Sequence, residues 1–341
     1  MHSHFVGLDV HKQVVAFCVK TAEGKIVAEG TVKSTRAELD GWVKTVPQPW
    51  VGGMETTMFS HWIYYHLKDQ GANILMGHAA RMKAISAGKK KSDKLDARTI
   101  ADLLRCDMFP SCWVIGPELG ALRRQMRFRR RVVNEQTRFK NLTAGLLMQQ
   151  GVEYERKRLH GQRYFADLMK TNAWAGEAMK PLLRFNRQQI EALGKMDGRL
   201  IGMLQKHPLL QHRIAALQGI DGVGPITALT WALEIGTPER FSSIGKVQSY
   251  AGLTSAFWES AGKQKHGPIS KQRNAHLQST LIEAAKLAPM HNETLKAVYQ
   301  KHRARGADDN TATLEVARKM AAHLLAADRA FHAQMGQTAR T

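Results

Sequence analysis

Lys89 to Arg98 reads K-K-K-S-D-K-L-D-A-R. Asp93 and Asp96 stand three residues apart where a helix is expected to begin, so both carboxylates fall on one helix face and can share a cation. The lysines ahead of them, Lys89, Lys90 and Lys91, suit a polyanion held alongside. A metal-dependent phosphodiester site is the sharp reading of this stretch. The plain one is a solvated basic loop in which Asp93 caps a helix, because acidic residues favour helix N-termini. What decides between them is the company these two acids keep.

Towards the N-terminus the chain alternates strand-like and helix-like segments. Phe5 to Val10 (F-V-G-L-D-V), Val14 to Lys20 and Lys25 to Val32 are short runs rich in β-branched and aromatic residues, split by turn signals such as Ala22-Glu23-Gly24. They predict a three-stranded meander. Ser34 to Thr45 predicts a helix with Ser34 as its N-cap, Trp50 to Met54 a fourth strand ending at Glu55, Thr57 to Gln70 a helix and Asn73 to Met76 a fifth strand. Asp9 then lies near the end of the first strand and Glu55 at the end of the fourth. Ligands of open α/β sheets bind at strand ends, so acids from distant parts of the chain can converge there with Asp93 and Asp96. Taken singly, Asp9 reads as a strand-end turn residue and Glu55 as a neighbour of a helix N-cap. Taken together, four convergent acids repel one another without a cation, which predicts one or two divalent ions, Mg²⁺ by preference, bound through oxygen.

The charge balance agrees with a polyanionic partner. Against 29 Asp+Glu the chain of 341 residues carries 50 Lys+Arg, a formal charge of +21, too basic for an ordinary enzyme of small metabolites. The length leaves room for roughly two or three domains. No 18-residue apolar run and no charged-then-apolar leader is present, so a soluble intracellular protein is expected. Cys18, Cys106 and Cys112 show no C-x-x-C spacing, and the histidines form no H-E-x-x-H pattern; zinc and a disulfide framework are not expected.

Past the acidic stretch, Ala121 to Arg131 reads A-L-R-R-Q-M-R-F-R-R-R. Arg123, Arg124, Arg127, Arg129, Arg130, Arg131 and nearby Arg138 exceed what solvation of a helix needs, and arginine forks fit phosphate. Thr137 to about Lys206 is mostly helix-forming, with Leu182, Leu183, Ile190, Leu193, Met196, Leu200, Ile201 and Leu204 at spacings of three and four. That pattern suits a pairing with another subunit and a buried helix pair equally well. After His207-Pro208, G-I-D-G-V-G-P lies between two helical runs, with Gly219, Gly222, Gly224 and Pro225 in the order of a helix-hairpin-helix turn, whose backbone N–H groups can hold a phosphate. A tight structural turn is the alternative. Tyr250 to Gly267 carries Ser260 after Glu259, with Lys263, Lys265, Lys271 and Arg273 close by. No local base activates that serine, which by itself reads as a loop residue. Leu277 to Ala326 returns to alanine-rich helix of the core-packing kind.

In this order the motifs resemble the DEDD transposases of bacterial insertion sequences, related to the Piv-type DNA invertases. The resemblance spans nearly the whole chain: G-L-D-V (Asp9), M-E-T-T (Glu55) and K-S-D-K-L-D-A-R (Asp93, Asp96), then G-I-D-G-V-G-P, F-S-S-I-G-K-V-Q-S-Y-A-G-L-T, E-S-A-G-K and I-S-K-Q-R-N-A-H-L. It implies an α/β plus α chain: a RuvC-like, ribonuclease H-type mixed-sheet domain over residues 1–145, a helical coiled-coil insert over 146–206, and a mainly helical C-terminal transposase domain over 207–341. It makes Ser260 the nucleophile, with Ser255 and Ser270 as runners-up. Strands are then cut and rejoined through a phosphoserine linkage, with Mg²⁺ on the four acids set against a serine from a neighbouring subunit of a dimer or tetramer. The resemblance further implies a noncoding bridge RNA from the same element that pairs with donor and target DNA, and a bacterial cytoplasmic, nucleoid-associated location. Two other readings remain open: a RuvC-like two-metal endonuclease or junction resolvase, and a catalytically silent nucleic-acid-binding protein.

Overall fold

Five strands form a mixed sheet in the order β3-β2-β1-β4-β5. The computed structural model describes residues 2–85, 93–171, 176–260, 263–269 and 271–338. These divide into two units, Met1–Pro117 and Glu118–Thr341.

In the first unit β1 (His4–Val10), β2 (Val14–Thr21) and β3 (Ile26–Lys33) form the expected antiparallel meander, while β4 (Trp50–Glu55) and β5 (Ile74–Gly77) run parallel to β1. Helices α1 (Arg36–Val43), α2 (Ser60–Asp69), α3 (Ala79–Ile85) and α4 (Asp93–Arg105) complete it. Alternation along each strand sends successive side chains to opposite faces. Val6, Leu8 and Val10 of β1, with Trp50 and Met54 of β4, pack with Leu39 and Trp42 of α1 and Ile63 and Leu67 of α2. Phe5 packs on the other face, with Ile100, Leu103 and Leu104 of α4. One expectation is corrected: α1 is capped by Thr35, whose Oγ1 accepts from the Glu38 amide. The Ser34 hydroxyl instead donates to the His11 carbonyl across the sheet end, 3.0 Å away, so the neighbouring threonine is the one left to face the helix.

Among the described residues the second unit is helical apart from one hairpin. A 33-residue α5 (Pro117–Gln149) is followed by α6 (Gln162–Thr171), α7 (Gly176–Gln205), α8 (Gln211–Gln218), α9 (Pro225–Ile235), α10 (Ile244–Ala251), β6 (Ser255–Ser260), β7 (Lys263–Ile269), α11 (Ala275–Leu287), α12 (Glu293–Ala304) and α13 (Asp309–Thr338). The core is built around α9, in which every residue from Thr227 to Ile235 is buried. Leu277, Leu281 and Ala285 of α11 and Val316, Ala317, Met320 and Leu324 of α13 surround it, as the alanine-rich stripes predict. In α7 the apolar positions split: Leu183, Ile190 and Leu204 are buried, whereas Leu182 and Met196 are exposed. At the α8–α9 turn Gly222 has φ +85°, and a Cβ there would stand 3.0 Å from that of Ala288, so glycine is required on two counts. Deeper in, Arg213 forks Asp328 at 2.8 and 2.7 Å while the Trp231 indole donates to the same carboxylate at 2.9 Å. Arg213 and Asp328 are both buried, and a buried charge persists only when paired this fully.

Candidate active site

The parallel pairing of β1 with β4 sets Gly7 opposite Gly53 and Leu8 opposite Met54. Asp9 and Glu55 are therefore the next residues along two adjacent strands, at their C-terminal ends, where an α/β sheet presents ligands. Both lie on the face of the two glycines. That face belongs to α4: a Cβ on Gly7 would sit 1.9 Å from the Ala97 carbonyl oxygen and 2.6 Å from the Ala101 amide nitrogen. On Gly53 it would meet Leu104 at 3.1 Å. Glycine thus lets the α4 backbone lie directly on β1.

Two contacts give α4 its direction. Asp102 accepts from Lys20 at 2.5 Å, and Lys20 is paired with Phe5 near the start of β1. Arg98 forks Glu29 of β3 at 2.8 and 2.9 Å, level with Gly7 through Cys18. The helix therefore runs opposite to β1, and its first turn, with Asp93 and Asp96, comes to the strand end that carries Asp9. The first turn of α4 and the ends of β1 and β4 thus lie at the same end of the sheet. Asp9 is 15 % exposed, with Oδ2 3.0 Å from His11 Nε2, a neighbour that sequence reasoning missed although it is only two residues away. Glu55 and Asp96 are half-buried.

All four residues are carboxylates, the donor type that hard divalent cations take. Among the described residues, however, no three His, Cys, Asp or Glu side chains are gathered closely enough to hold a metal. Lys89, Lys90 and Lys91 lie outside the described residues.

In the second unit the arginine-rich run occupies the first half of α5. Arg124, Arg130, Arg131 and Arg138 are exposed and Arg123 is half-buried. Others are engaged: Arg127 donates through Nε and Nη2 to both oxygens of Glu234, at 2.7 and 2.6 Å, and Arg129 Nε stands 2.6 Å from Asp197. Arg130 Nη1 donates to Ser279. Glu234 is 2 % exposed. Burial pushes its pKa up, but the Arg127 fork and a 2.8 Å hydrogen bond from Asn274 outweigh burial and hold it below the ordinary glutamate value. The sequence signal was a single acid closing the apolar run T-A-L-T-W-A-L-E-I-G.

That carboxylate also anchors the base of the hairpin carrying Ser260. The Asn274 amide donates to the Tyr250 carbonyl at 2.8 Å, Gln278 Nε2 to Gly252 O at 2.5 Å and Arg318 Nε to Leu253 O at 2.7 Å. From that base β6 and β7 pair antiparallel, Ser255 opposite Ile269 and Ser260 opposite Lys263. Ser260, read from local sequence as a loop residue, is instead the last residue of β6; cross-strand pairing of Phe257 and Trp258 overrides the small residues that follow. Ser255 opens the same strand and Ser270 lies outside the described residues. Lys263 and Lys265 are on β7, while Lys271 and Arg273 are exposed between the hairpin and α11. Gly222 and Gly224 lie in the α8–α9 turn, Gly224 as the N-cap of α9 with Pro225 behind it.

The mixed five-stranded sheet of the first unit is consistent with a RuvC-like domain. A DEDD transposase family model of IS110 elements matches residues 6–150, and a second, described as Transposase IS116/IS110/IS902 family, matches residues 214–300. The chain belongs to the IS110 family of insertion-sequence transposases. It is 27 % identical over 288 residues to a probable family 20 transposase of Pseudomonas aeruginosa, covering 82 % of each chain. To the transposase for insertion sequence element IS1111A of Coxiella burnetii it is 24 % identical, covering 84 % of this chain and 78 % of that one. The putative transposase y4qE of Sinorhizobium fredii is 25 % identical, over 82 % and 70 % of the two. No helix among the described residues is long and apolar enough to cross a membrane.

Proposed function

We propose that the chain is an RNA-guided DNA recombinase that cuts and rejoins strands through a phosphoserine at Ser260, assisted by Mg²⁺ on Asp9, Glu55, Asp93 and Asp96. The observation that carries this reading is the meeting of the β1 and β4 ends with the first turn of α4. A bound divalent ion supplies charge neutralisation at phosphate and eases loss of the serine proton. The rest falls to the chain. In this reading the acids at the ends of β1 and β4 act together with those in the first turn of α4. Ser260 Oγ attacks the scissile phosphorus, a serine–phosphate ester forms, and the bond to a sugar oxygen breaks; attack by the hydroxyl of a second strand reverses the step and frees the serine. The covalent ester retains the energy of the broken bond, so rejoining needs no outside source.

A net charge of +21 supports a chain that holds both DNA and a folded guide RNA, the protein contacting backbone and base pairing reading sequence. The exposed arginines of α5, the lysines Lys89 to Lys91, Lys263, Lys265, Lys271 and Arg273, and a helix-hairpin-helix role for Gly222 and Gly224 belong to this reading. So do the 146–206 insert as a coiled coil, the 1–145 and 207–341 domains, and a homo-oligomer in which serine and acids come from different copies.

The test incubates wild type, Ser260→Ala and Asp96→Asn with Mg²⁺, the element's RNA and labelled junction DNA on a denaturing gel. A covalent protein–DNA band is expected in wild type only, with rejoining reduced roughly 10²–10³-fold or more in both variants. Mg²⁺-dependent cleavage that persists in Ser260→Ala without any adduct overturns the serine step in favour of a two-metal nuclease.

A further inference from the structure

A cleft of about 490 Å³ opens in the second unit between α5, α9 and α11, a volume typical of sites for ligands of nucleotide size. Its apolar floor includes Met126, which is buried, and Ile226, which is half-buried; Leu287 also lines the cleft but is 59 % exposed. Into it face Thr227 and Thr230, one helical turn apart on α9 and only 6 % and 4 % exposed. Their hydroxyls are the polar groups that α9 brings to this lining beside Glu234.

The cationic wall comes from α5. Because Glu234 takes Nε and Nη2 of Arg127, its Nη1 amino group is left outside the fork, and the guanidinium is fixed in place by a carboxylate beneath it. Arg130 is held through Nη1 by Ser279, with its remaining N–H groups outside that contact. His276, on the α11 wall, has its pKa pushed down by burial and by Arg127, so its ring is neutral near pH 7.

We propose that this cleft takes one nucleotide of a single strand, splayed away from its neighbours, with its phosphate on Arg127 and Arg130 and its base on the apolar floor beside Thr227 and Thr230. The inference rests on the reading that this unit engages nucleic acid, and names where and in what form. A bare phosphate would leave the apolar floor unused, and a duplex keeps its bases stacked and offers only phosphates to a cleft walled by three helices. An unstacked base has both a face for apolar side chains and edges for hydroxyls. Ala284, a small half-buried residue of α11 that lines the cleft, gives a way to fill the space without changing charge.

The test measures anisotropy of labelled oligothymidylate, oligouridylate and a duplex of equal length with wild type, Ala284→Trp and Thr230→Val. Ala284→Trp is expected to weaken single-strand binding about tenfold, the scale of one base contact, and Thr230→Val a few-fold, with duplex binding within twofold of wild type. Whichever of the two single strands loses more identifies DNA or RNA as the source of the nucleotide. Equal losses on duplex and single strands, or no loss on either single strand, overturn the cleft proposal while leaving nucleic-acid binding by the chain intact. A wild type that binds none of the three probes overturns both.

Discussion

Asp9 in the sheet unit is 15 % exposed and leans on a histidine, whereas Glu234 in the helical unit is 2 % exposed and is gripped by an arginine fork and an asparagine amide. Asp328 carries the second pattern further, fully buried under Arg213 and Trp231. The same chemical group serves two ends. In the helical unit each buried acid has its lone pairs filled by fixed donors and ties helices together. At the sheet end Asp9 and Glu55 are placed by strand register at the ends of β1 and β4, Asp9 beside His11. Position on the fold separates the two roles better than residue type does.

The contrast is tested most severely at Gly7. Gly7→Ala forces a methyl group against the α4 backbone and is expected to destabilise the first unit by more than about 4 kcal/mol, read as the loss or early onset of that unit's transition in urea while the second unit unfolds as before. A wild-type midpoint would mean that α4 is not seated on β1. A smaller effect is expected from Glu234→Gln, about 1–3 kcal/mol at neutral pH, in the second unit alone. Because the folded pKa of Glu234 lies below its ordinary value of 4.5, its contribution is complete above that value and is lost as the pH falls towards the lowered one. The acid limb of the stability–pH curve is therefore shallower in Glu234→Gln; an unchanged limb would remove the buried carboxylate from this account. Smallest is Thr35→Ala, costing about 1 kcal/mol through loss of the α1 cap, measured beside Ser34→Ala. A larger loss in the serine variant would restore Ser34 as the cap.

The strands of the first unit were legible because alternation and β-branched runs have no competing helical period, and Asp9 and Glu55 followed from where those runs stop. The choice between Ser34 and Thr35 was not legible: both are good caps, and a carbonyl of His11, distant in sequence, takes one of them. Local residues also failed for Ser260, since small polar neighbours resemble a loop until Gln264 and Lys265 pair across from Glu259 and Trp258. Arg127 and Arg129 look alike in a basic run, and only the fold reveals that Glu234 and Asp197 hold them. Thr227 and Thr230 are hidden in an apolar helix; nothing in their spacing distinguishes a cleft wall from a core position.

The contact of the Ala97 carbonyl with Gly7 also works as an angular index. Each residue of an α-helix turns the next by about 100°, so a slip of α4 by one place would swing every side chain of the helix, Asp96 included, through more than a quarter turn. A sheet position with any side chain would hold the helix away from the strand and loosen that setting. Lys20 with Asp102 and Arg98 with Glu29 then lock the dial at two further points. The residue with no side chain thereby sets the rotation of the whole helix.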